Sequence, residues 1–198
     1  MNNMEKEFSP QESLRLISFM IETTKNTMRD TSGYFLLWGW AVMLACLLEY
    51  LLKVWFNYPN PGIAWFLMPL ALLFQVYFVL RDRKRETVRT FLNEAYAHLW
   101  IAIGLAFLVL IFIFLRIGWQ DCAVFFILLY AIGTYVSGSL IKFRPLVIGG
   151  MICFPLALVA SWLNFDYQLA TLALAILISY IIPGHLLRLK NRKQQADV

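Results

Sequence analysis

Histidine is nearly missing from this chain of 198 residues, which holds two, and cysteine is scarce at three. The two histidines form no H-E-x-x-H pair, and Cys46, Cys122 and Cys153 show no C-x-x-C spacing, which argues against a zinc site or a disulfide framework. All three cysteines fall in apolar runs and read as small core residues. There is no phosphate-binding glycine-rich loop and no G-x-S-x-G elbow. Gly133-Thr134-Tyr135-Val136-Ser137-Gly138 places Ser before Gly, but Tyr135 stands where a rhomboid-like protease needs Gly. No catalytic residue, metal or cofactor is therefore expected. Charge is also short: 15% of residues are Asp, Glu, Lys or Arg, against about 25% in soluble domains.

What the chain has in excess is apolar length. Hydrophobic residues make up 61%, and they gather into runs at Tyr34–Phe56, Gly62–Leu80, Ala97–Leu115, Trp119–Gly138, Pro145–Leu163 and Phe165–Pro183. A bilayer core of roughly 30 Å needs about 20 apolar residues per helix, and continuous runs exclude the alternation of a membrane strand. The expected fold is an all-α polytopic membrane protein, a bundle of six transmembrane helices. Residues 1–33 form a cytoplasmic amphipathic helix and linker, 34–187 the membrane domain, and 188–198 a basic cytoplasmic tail.

Positive charge orients the bundle. Of 17 Lys and Arg residues, all but Lys53 and Arg116 fall on the side of the two termini, which places both termini in the cytoplasm. The net charge of +5 follows from that asymmetry and gives no reason to expect nucleic acid. The basic rim instead suits anionic lipid at the cytoplasmic face.

Ser9-Pro10-Gln11-Glu12 starts a helix with a cap, a first-turn Pro and a capping-box Glu. Leu14, Ile17, Ile21 and Met28 share one side of it, so it is expected to lie along the membrane surface and to break at Asp30-Thr31-Ser32-Gly33. Rows of small residues, Gly149-Cys153-Ala157-Ser161 and Thr171-Ala175-Ser179, predict a tight hairpin between the last two spans.

Ionisable groups inside spans are the best pointers to function, because each costs free energy to insert. Glu49 lies about 22 Å into span one at 1.5 Å per residue, on the face of Ala41 and Ala45. Two readings are open: an aqueous or proton-linked site, or a self-neutralising pair with Lys53 four residues on. At the cytoplasmic boundary Tyr96, His98, Tyr135, Ser137 and His185 are candidates for a polar mouth, with His185 following a break at Pro183-Gly184.

The stretch from Ile17 to Asn26, with Gly33-Tyr34-Phe35-Leu36-Leu37-Trp38-Gly39-Trp40, resembles small bacterial six-span inner-membrane proteins of unassigned activity. The resemblance covers mainly residues 16–52 and implies a bacterial inner membrane but no chemistry. Two function classes are expected: a non-enzymatic accessory or signalling protein that binds another protein or its own copy, and a small channel or transporter using Glu49.

Overall fold

The computed structural model describes residues 10–82 and 91–196. Every regular element among them is helical: α1 (Pro10–Val54), a 3-10 turn (Pro61–Phe66) opening into α2 (Leu67–Asp82), α3 (Phe91–Ile117), α4 (Cys122–Leu140), α5 (Arg144–Ala160), α6 (Phe165–Ile176), a π-turn (Leu177–Ile181) and α7 (Ile182–Ala196). α1 and α2, α3 and α4, α4 and α5, and α5 and α6 run antiparallel, and α7 continues the line of α6. One end of the bundle therefore holds the start of α1, the α4–α5 turn and α7, and will be called the terminal end. The far end holds the turn after α1 and the α3–α4 and α5–α6 turns.

Two expected breaks do not occur. α1 runs unbroken through Asp30-Thr31-Ser32-Gly33. A helix with good formers on both sides propagates through a single weak stretch, and an interior glycine costs only about 1 kcal/mol. The capping Ser9 lies outside the described residues. At the other end, helix continues from α6 through Pro183 and Gly184 into α7. Pro183 has no N–H to donate and its ring would strike a carbonyl in the preceding turn. The π-turn immediately upstream widens the backbone there and relieves that clash.

Five helices are long and apolar enough to cross a membrane: Ser32–Val54, Pro61–Arg81, Glu94–Ile117, Cys122–Leu140 and Phe165–Lys193. The run expected as the fifth of six spans is a shorter apolar helix, Arg144–Ala160. Its 17 residues reach about 25 Å at the usual rise. Arg144 and Pro145 open it, and the turn at Ser161–Leu163 closes it early.

Glycines set how α5 is held. A Cβ on Gly150 would come within 2.6 Å of the Tyr135 nitrogen, and one on Gly138 within 2.7 Å of the Val147 nitrogen, so α4 and α5 touch backbone to backbone. On its other side, Gly149 faces the Ile178 carbonyl at 2.8 Å from an added Cβ, and Cys153 Sγ–H donates to the Ala175 carbonyl at 3.6 Å. The small-residue rows of α5 and α6 thus meet, but α5 is held at least as closely by α4. The turn between α4 and α5 places Lys142 at φ 52°, a left-handed position, and closes with Phe143 N–H donating to Gly138 O at 2.9 Å. The buried core of Val42, Ile127, Leu146, Leu172 and Ile176 fills the space between α1, α4, α5 and α6.

α2 lies outside that core, and α3 enters it with one buried residue, Phe114. Only 11% of an 18-residue apolar segment within each of Pro61–Arg81 and Glu94–Ile117 is buried inside the protein. Trp38 Nε1–H donates to the Gln75 side-chain oxygen, fastening α2 to α1. α3 is held through Ile103 and Phe107, which pack against Gly133 and Tyr130 of α4.

Candidate functional site

Polar side chains gather at each end of the bundle. At the far end Glu49 turns into the protein and is 4% exposed. It continues a stripe of α1 that includes buried Val42 and Ala45, so packing of that stripe carries the carboxylate inward. The 3-10 turn comes back over α1 on buried Ala64, and the next residue, Trp65, donates its Nε1–H to Glu49 Oε2 at 2.6 Å. Lys53 does not bond to Glu49. One turn further along α1 it stands at the surface, where it pairs with Asp166 in the first turn of α6 and lies 5.7 Å from the Phe165 ring centroid. The Glu49–Lys53 pair, one of the two readings left open by the sequence, is not formed here, because the two residues point to different surroundings: Glu49 inward to an indole, Lys53 outward to a carboxylate from a distant part of the chain.

Gln168, a residue not among those expected from sequence to form a site, completes this end. It is 2% exposed, and its Nε2 donates to Asp121 Oδ1 and to the Leu163 carbonyl, each at 3.0 Å. The sequence signal was available, since Gln168 is the one amide in the last apolar run. Together these bonds tie the end of α1, the 3-10 turn, the α3–α4 turn and the start of α6.

The five residues expected to form a mouth at the terminal end stand in different surroundings. His98 is exposed and its Nδ1–H donates to the Glu94 carbonyl at 2.8 Å within its own helix. Tyr135 and His185 are exposed, while Tyr96 is half-buried beside Trp100, ring centroids 6.2 Å apart. Ser137 alone of the five is fully buried. A different group meets inside. Tyr180, on the π-turn, is packed edge-on by Phe35 and Tyr130, each with ring centroids 5.2 Å away, and by Trp100 at 6.3 Å. Thr134 and Ser137 follow Tyr130 on the inner face of α4 and are both fully buried. The Tyr180 hydroxyl, Thr134 Oγ1, Ser137 Oγ and Trp100 Nε1 have no hydrogen-bond partner among the described residues.

Comparison of the chain with protein-family models, with curated proteins and with solved structures finds no match. The chemistry must come from the residues themselves. Among the described residues no three His, Cys, Asp or Glu side chains come together to hold a metal. The buried hydroxyls stand among aromatic rings, and neither histidine is buried beside them. Glu49 is a hydrogen-bonded carboxylate beside an indole, an arrangement that fixes two elements together and can also bind a proton or a cation.

Proposed function

We propose that this protein is a non-enzymatic integral membrane protein that acts by interaction, as an accessory subunit or signalling partner. It resides in a bacterial inner membrane, crosses it six times with α5 as the short fifth span, and keeps both termini in the cytoplasm. The positive-charge asymmetry and the resemblance of residues 16–52 support that placement. The observation that carries the reading is the wide exposed face of α3. Its apolar stretch is 11% buried, and Leu105, Val109 and Phe112 project from it, more than half exposed. In a membrane such a surface meets lipid or another helix, and packing between helices there rests on close fit rather than on burial from water.

Photo-crosslinking amino acids at Leu105 and Val109, activated in the native membrane, test the reading. The expected result is one discrete adduct from both positions, with another protein or a second copy. Lipid adducts alone would overturn it. The second reading, a small channel or transporter, is favoured by the burial of Glu49 within the Ser32–Val54 span. Under that reading Glu49→Gln abolishes ion or solute flux in proteoliposomes. Unchanged flux with only a lower melting temperature excludes it.

A further inference from the structure

A groove of about 730 Å³ runs along the flank of α1 where α2 diverges from it. Its floor is a stripe of α1 that includes Leu37, Trp40 and Leu44, and its wall includes Leu70 and Phe74 of α2. Arg188, from α7, also lines it and is exposed. The groove follows α1 from Ser32 to Leu44, which is about 18 Å at 1.5 Å per residue. That is close to half of a hydrocarbon core of roughly 30 Å, the depth of one leaflet. Beyond Leu44 it closes, because the 3-10 turn lies against α1 through Ala64 and Trp65.

We propose that this groove binds one anionic phospholipid from the leaflet at the terminal end, an acyl chain lying along α1 and the phosphate on Arg188. A partner helix does not fit the same shape. It would need a channel about 10 Å wide through the full membrane, whereas this groove stops midway. An acyl chain ends at the midplane, as the groove does. The mouth supplies the complementary charge: a guanidinium presents paired N–H donors that match phosphate oxygens, and an anionic headgroup adds attraction to the basic α7, which carries Arg188, Lys190, Arg192 and Lys193. The inference is independent of any partner at α3, which lies on another surface.

Native mass spectrometry of the purified full-length protein tests it, using phosphatidylglycerol and phosphatidylcholine of matched chains. The wild type is expected to retain one phosphatidylglycerol at least fivefold more tightly than phosphatidylcholine. Arg188→Ala is expected to remove that preference, and Ala41→Phe, which fills the floor, to lower retention of both lipids. Leu44→Phe serves if Ala41→Phe melts early. Arg116→Ala, at the far end, should bind as the wild type does. Equal retention of the two lipids, or retention that neither Arg188→Ala nor the groove-filling variant reduces, would overturn the proposal. Loss of retention in Arg116→Ala to the same degree would also overturn it, since the effect would then be one of net charge.

Discussion

The α4–α5 hairpin and the α2–α3 pair are made of similarly apolar runs, yet one is the centre of the protein and the other its margin. The difference lies in the smallest residues. Gly138 and Gly150 let two helix backbones touch, whereas Gly62 and Gly104, near α2 and in α3, face nothing within 4 Å. Hydrophobic residues take a chain into the bilayer, but lipid is as apolar as leucine, so they do not choose which helices pack. Close approach and buried hydrogen bonds make that choice.

Substitutions in both regions test this contrast. Gly150→Ala puts a methyl group 2.6 Å from the Tyr135 backbone nitrogen, which cannot yield as a side chain would. It should cost about 3 kcal/mol, the upper part of the overpacking range, and appear as a large fall in melting temperature in detergent. Gly104→Ala in α3 should leave the melting temperature unchanged or slightly higher, and a comparable fall there would erase the distinction. Next, Trp65→Phe removes the donor to Glu49 and should cost about 2 kcal/mol, since it leaves a buried carboxyl oxygen without that bond. Adding Glu49→Leu to Trp65→Phe should restore much of that loss, and failure to do so would mean that the indole acts by packing alone. The Tyr180→Phe change should go the other way and stabilise the protein by about 1 kcal/mol, because it deletes a hydroxyl with no partner among the described residues. Destabilisation would show that the hydroxyl is engaged in the membrane. The smallest effect belongs to Lys53→Ala. Its exposed pair with Asp166 should contribute no more than about 1 kcal/mol, read by a double-mutant cycle with Asp166→Ala.

The same contrast explains what was legible in the sequence. Apolar length is read directly from sequence, so the all-helical architecture and the five helices long and apolar enough to cross a membrane were legible, whereas the run Pro145–Leu163 gives a shorter helix than its length suggested. The inward face of Glu49 was also legible, because Ala45 shares its stripe. The partner of Lys53 was not, since Asp166 lies 113 positions away and local spacing favoured Glu49 instead. Nor could spacing distinguish Gly138 and Gly150 from other small residues, because contact depends on the rotation of both helices. The grouping of Thr134 with Tyr180 is hidden in the sequence for a similar reason: they lie on separate elements that come together only when α4 and the π-turn pack. The break expected at Gly33 was a local preference outweighed by the cooperativity of a long helix.

The π-turn has a consequence for how the chain is clocked. A regular helix advances about 100° per residue, so one extra residue in a turn rotates everything after it by about that angle. At Leu177–Ile181 three successive residues, Ser179, Tyr180 and Ile181, are all buried, a breadth that one stripe of a regular helix does not offer. Deleting a single residue there would leave a helix of nearly the same length and composition, but would swing Arg188 off the groove and turn the basic face of α7 toward a different neighbour. The direction in which the protein presents its terminal charges is thus set by a phase shift buried among aromatic rings, in the turns of helix just before the charges it aims.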